Sequence, residues 1–123
     1  MPQTDIEIYQ EADGSVPLLE WLDTVPEKVQ DKCIEKIERL EEFGYDLRRP
    51  HCDILESGVY ELRAKRQHVN YRILYGFVGE NIVLVSHGCS KKKEVPKTEI
   101  KRAIRNLKNY TQNPKAHTYR GEL

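Results

Sequence analysis

The stretch from Val59 to Phe77, VYELRAKRQHVNYRILYGF, constrains the fold most. It alternates apolar and polar side chains in two runs separated by Gln67 and His68. Successive residues of a strand point to opposite faces, so Tyr60, Leu62 and Ala64 share one face and Arg63 and Lys65 the other. In the second run Tyr71, Ile73, Tyr75 and Phe77 share a face, which sends Asn70, Arg72 and Leu74 the opposite way. The pattern predicts a hairpin with one face in the core and one carrying Arg63, Lys65 and Arg72 without matching acids. Such a cluster of cations suits a polyanion, although the same pattern fits solvated charges on the open face of a half-buried sheet.

The rest of the chain supplies the other elements. Ile6 and Ile8 alternate with polar neighbours as in a short strand, and Ala12 to Ser15 reads as a turn. Pro17 opens a short helix whose apolar members are Leu18, Leu19, Trp21 and Leu22, with Trp21 expected in the core. Thr24-Val25-Pro26-Glu27 has the form of a capping box, and Val29, Cys33, Ile37 and Leu40 then recur at helical spacing until Gly44 ends the helix. The Lys and Glu residues on the rest of that helix read as a solvated face rather than a site.

Asp46 to Pro50 reads as a loop carrying Arg48 and Arg49, and His51 to Glu56 as a strand, with Ser57-Gly58 turning into the hairpin. Ile82 to Val85 is a continuous apolar run, expected to be a strand covered on both faces that empties into Ser86 to Ser90 and then Lys91, Lys92 and Lys93. From Pro96 the period is helical again, with Ile100, Ala103, Ile104, Leu107 and Tyr110 as the apolar stripe. The expected class is α+β: a small, mostly antiparallel, twisted sheet with an N-terminal helical hairpin and a C-terminal helix. Residues 1–112 form a single domain, and residues 113–123 are expected to be a flexible tail.

With 123 residues the chain holds one real core, and no apolar run is long enough to span a bilayer, so a soluble cytoplasmic protein is expected. Cys33, Cys52 and Cys89 are scattered, which disfavours a disulfide framework and a zinc site, and no cofactor motif is present. The zero net charge hides an asymmetry: residues 1–62 hold 16 acids against 6 Lys and Arg, and residues 63–123 hold 14 Lys and Arg against 4 acids. Clustered cations bind nucleic acid by releasing counterions from phosphates. An acidic protein partner, or mutual neutralisation of the two halves, would satisfy the same charges.

Cations support one reaction class without a metal. When an RNA 2′-hydroxyl attacks its adjacent phosphate, negative charge grows on the phosphoryl oxygens and on the leaving 5′-oxygen, and fixed Arg and Lys groups stabilise it. Arg63 and Arg72 offer bidentate forks, and crowding by like charges lowers a lysine pKa, which makes Lys65 or Lys91 a candidate proton carrier. Of the four histidines only His87, following the buried strand, is a candidate for a site.

Four motifs in order, Leu55 to Arg63, Tyr71-Arg72-Ile73-Leu74-Tyr75, Ile82 to Leu84 leading to His87-Gly88-x-x-Lys91-Lys92, and Pro96-x-x-Glu99-Ile100-x-x-Ala103, resemble the RelE/ParE toxin superfamily, especially its HigB-like, phage-associated branch. The resemblance spans roughly residues 5 to 110. It implies a type II toxin that cleaves mRNA on the ribosome and is neutralised by a cognate antitoxin. Arg63, Lys65 and Arg72 would match the strand cations of that family, and Lys91 and Lys92 its dilysine, as the catalytic set. Arg66, Lys93, Lys97 and Lys101 are expected to extend the RNA-binding surface. Cys89 replaces the usual aromatic after the glycine, and the family's C-terminal acid or base has only Tyr110, His117 and Tyr119 as candidates. The resemblance leaves room for a ParE-like inhibitor of DNA gyrase and for a member that only binds RNA or antitoxin.

Overall fold

The computed structural model describes residues 4–47, 51–91 and 94–122, with the backbone alone of Lys91. The elements follow the expected order: β1 (Asp5–Ile8), α1 (Pro17–Leu22), α2 (Glu27–Phe43), a 3-10 turn (Gly44–Asp46), β2 (Cys52–Ile54), β3 (Val59–Arg66), β4 (Val69–Val78), β5 (Ile82–Lys91) and α3 (Lys97–Gln112). One five-stranded sheet has the order β1-β5-β4-β3-β2. The β1–β5 pair is parallel and the other pairs are antiparallel. No helix among the described residues is long and apolar enough to cross a membrane.

Helices cover both faces of the sheet. Leu62, Ala64, Ile73, Tyr75, Val83 and Val85 join Leu18, Leu22, Val29, Cys33, Ile37 and Leu40 in one core, with α1 against β5 and α2 against β3 and β1. On the opposite face Val59, Leu74 and Cys89 pack against Ile100 and Ala103 of α3, while Leu84 packs with Tyr9 and Tyr110. The cationic face of the hairpin is therefore not open over its whole length. Its first half lies under α3 and only the end toward Lys65 leaves that cover.

Local chemistry differs from the sequence reading at three points. Thr24 does not cap α2: its hydroxyl donates to the Trp21 carbonyl at 2.6 Å, closing α1, and Pro26 precedes α2 without any side-chain cap. In α3, Ile104 is exposed and Asn106 is fully buried. The buried polar residue is tolerated because Asn106 Nδ2 donates to Ser86 Oγ at 2.9 Å. The strand beginning at Ile82 does not end at Val85 but continues to Lys91.

A β-bulge makes that extension possible. Leu74 pairs with His87 but Tyr75 with Val85, leaving Ser86 as the extra residue. Both Ser86 and His87 then meet α3, through Asn106 and Glu99. The alternation beyond the bulge is reset, so Gly88 lies against the Trp21 indole, where a Cβ would strike the ring. Trp21 Nε1 donates to Ser90 Oγ at 3.0 Å, which fastens α1 to the extension. Trp21 thus packs against the core as expected.

The segment after α3 makes specific contacts with β1. Thr118 forms an isolated bridge to Tyr9, Tyr119 N donates to the Ile8 carbonyl at 2.8 Å, and the His117 ring stacks on Tyr9 with centroids 5.3 Å apart.

Candidate nucleic-acid interface

Hairpin register builds the site. Arg63 stands directly opposite Arg72, which in turn faces Cys89 on β5; two residues further along, Lys65 faces Asn70, whose other neighbour is Lys91. Alternation thus brings Arg63, Lys65 and Arg72 to one region as expected, with the Lys91 backbone at its border. Like charges directly opposite across strands destabilise a sheet unless something neutralises them.

That something is Glu61, and its presence corrects the expectation of cations without acids. Glu61 precedes Arg63 by two residues, so the same alternation puts it on the cationic face. Its Oε1 accepts from Arg63 Nε at 2.8 Å and its Oε2 lies 2.9 Å from Arg72 Nε. Asp53, opposite Glu61 on β2, accepts through Oδ2 from Arg63 Nη2 at 2.9 Å. The Glu61 side chain is 2% exposed and that of Arg72 11%, whereas Arg63 keeps 40%. Two guanidiniums and two carboxylates form one row, of which Arg63 is the most exposed member. The sequence reading missed both acids: the period of two was a signal that could have found Glu61, whereas nothing local marks Asp53, which only strand pairing brings in.

The remaining candidates surround this row unevenly. Lys65 is exposed, and Arg66 is half-buried at the hairpin turn. Lys97 and Lys101, one turn apart, are exposed at the start of α3. Arg48, Arg49, Lys92 and Lys93 lie outside the described residues. Among those described, no group of three or more His, Cys, Asp or Glu is arranged to hold a metal ion. The cysteines are buried and unbridged, and burial pushes the Cys33 thiol up to about 11.

His87 is near the site but not in it. It lies 1% exposed between Ser86, whose Oγ is 2.7 Å from Nδ1, and Glu99, whose Oε2 is 3.1 Å from Nε2. Burial, reinforced by the charge of Arg102, pushes its pKa down to about 4, so the ring is neutral at pH 7. A carboxylate only accepts, so the ring proton sits on Nε2 and the Ser86 hydroxyl donates to Nδ1. Ser86 has no exposed surface, so no substrate reaches it. The chain Asn106–Ser86–His87–Glu99 fastens α3 to the bulge.

The structure removes the C-terminal acid/base candidates from this region. Tyr110 packs with Leu84, five residues along β5 from Cys89 and hence roughly 16 Å away at a strand's rise. His117 and Tyr119 lie against β1, on the far side of β5.

A family model described as phage-derived protein Gp49-like (DUF891) matches residues 20–108, from α1 through most of α3. No curated protein matches the chain significantly.

Proposed function

Since the chain belongs to the Gp49-like family of phage-derived proteins, a family associated with the toxins of toxin–antitoxin pairs, we propose that it is such a toxin, neutralised by a cognate antitoxin. We further propose that it is a metal-independent endoribonuclease of the RelE/ParE kind, cleaving mRNA on the ribosome. The observation that carries this reading is the row of Arg63 and Arg72 beside the exposed Lys65, with Lys97 and Lys101 on the adjoining helix.

In the proposed reaction the RNA 2′-oxygen forms a bond to phosphorus as the bond to the 5′-oxygen breaks, leaving a 2′,3′-cyclic phosphate and a 5′-hydroxyl. One proton leaves the 2′-hydroxyl and one reaches the 5′-oxygen, with Lys65 and Lys91 as the carriers. Arg63 supports the growing negative charge on the phosphoryl oxygens. Glu61, which pairs with both guanidiniums, is a positioning residue: it accepts a hydrogen bond from Arg63 Nε, and its second oxygen neutralises Arg72 as an ion pair without hydrogen-bond geometry. Lys92 would add charge next to Lys91.

One observation favours a second reading. Arg63 and Arg72 are already neutralised by Glu61 and Asp53, as in a network that stabilises the sheet and cleaves nothing. A non-nuclease toxin, such as an inhibitor of DNA gyrase, or a member that only binds RNA or antitoxin would have such a network. Purified protein added to ribosomes carrying a defined mRNA decides between them. The nuclease reading expects new ends with 5′-hydroxyl and cyclic phosphate, lost in Lys65→Ala. Intact mRNA with folded protein would remove it in favour of the second.

A further inference from the structure

Helix α2 carries cations that the sequence assigned to a solvated face. A cleft of about 550 Å³ lies between α2 and the end of the β3–β4 hairpin, lined by Lys32, Glu35, Lys36, Arg63, Lys65 and Asn70 with Ala64. Spacing of three to four residues puts Lys32, Glu35 and Lys36 on one face of the helix, and Glu35 is the only acid among the described residues of the wall.

The lysines are held in place. Lys36 Nζ donates to His51 Nδ1 at 2.8 Å, and Lys32 Nζ lies 3.4 Å from the Lys65 carbonyl, bending across the cleft toward the hairpin. Both members of the Lys36–His51 pair have lowered pKa values, in each case chiefly through burial and then through neighbouring cations. Lysine side chains in a cleft lose rotamer freedom on ordering, and a bound anion offsets that cost. His51 joins the two sides directly, because its carbonyl accepts from Arg63 N at 2.9 Å.

We propose that this cleft is a second phosphate-binding subsite, in which Lys32, Lys36 and Lys65 hold the backbone of single-stranded RNA one step away from the Arg63–Arg72 row. Arg63 and Lys65 link the two subsites: both line the cleft, Lys65 lying two residues beyond Arg63, about 7 Å along the strand. The strand path therefore runs around the end of the hairpin, from the α3 side of the sheet to the α2 side. A groove of cations that tracks a backbone is the usual means of binding single strands without reading sequence. The inference rests on the RNA-binding part of the proposed function and not on cleavage.

A short oligoribonucleotide with 2′-O-methyl groups throughout is the probe, because it cannot be cleaved by its own 2′-oxygens. Its affinity for the full chain is measured over a salt series by fluorescence anisotropy. Lys32→Ala/Lys36→Ala is expected to weaken binding about tenfold or more and to flatten the salt slope by about 1.4, the value for two lost contacts to a single strand. Lys32→Arg/Lys36→Arg should keep the slope, since it keeps the charge, and Lys115→Ala should leave affinity nearly unchanged. A double alanine variant that folds and binds with unaltered slope overturns the subsite, as does a parent chain with no salt-dependent affinity. Loss of the slope in a protein that never cuts mRNA on ribosomes would retain the subsite and remove only the nuclease.

Discussion

At the scale of single residues, Glu61 decides how the arginine pair behaves. A carboxylate 2% exposed between two guanidiniums is stable because each charge has a partner at 2.8 or 2.9 Å. Removing one partner of a buried pair leaves the others uncompensated, so Glu61→Ala should lose about 3–5 kcal/mol of unfolding free energy in urea titrations. Lys65→Ala, on an exposed side chain, should change stability by no more than about 0.5 kcal/mol. Lys65→Ala is therefore the cleaner probe of function, free of a folding effect, whereas loss of activity in Arg72→Ala would mix function with folding. His87 makes a second prediction. Its folded pKa of about 4 lies below the ordinary 6.5, so between those values the unfolded chain binds more protons than the native one. Stability should be fully present above pH 6.5 and fall on acidification toward pH 4, by up to about 1.4 kcal/mol per pH unit. Glu99 beside the ring moderates the loss by attracting the new charge, while Arg102 and Arg105 add to it. A His87→Gln variant should show a flatter profile across that window.

At the scale of elements, the hairpin could be read from the chain because its period of two runs from Val59 to Phe77 almost without interruption. Helix α2 was equally legible from Val29, Cys33, Ile37 and Leu40, all of which are buried. The course of β5 beyond Val85 was not. Ser86-His87-Gly88 is polar and small, and reads as a loop, yet each residue has a tertiary reason to lie in a strand: Asn106 for Ser86, Glu99 for His87 and the Trp21 indole for Gly88. Those partners are distant in sequence, so periodicity carries no trace of them. Asn106 was missed for the same reason, and the basic cleft because a helix face mixing Lys and Glu looks solvated until the hairpin comes beside it. The segment after α3 gives a third prediction. A chain ended after Gln112 loses the His117–Tyr9 stack and the Thr118 bridge, and should be less stable by about 1–3 kcal/mol, read from its urea midpoint. An unchanged midpoint would mean that these contacts contribute nothing in solution.

At the scale of the whole molecule, folding consumes part of the charge asymmetry between the two halves. Asp53 and Glu61 from the acidic half meet Arg63 and Arg72 from the basic half, and Glu11 lies 3.5 Å from Arg105. Of the described cations that stay exposed, Lys65, Lys97 and Lys101, together with Lys32 and Lys36 of α2, form the proposed RNA surface. An antitoxin covering the same surface would have to be acidic there, so it and RNA should compete. The most direct test of the central claim is transcriptome-wide mapping of 5′-hydroxyl RNA ends after brief induction in a bacterial host, with Lys65→Ala as the control. New ends are expected within coding regions, in phase with codons and absent from the control. Growth arrest without new ends, accompanied by a DNA-damage response, would contradict it and assign the toxicity to a different target.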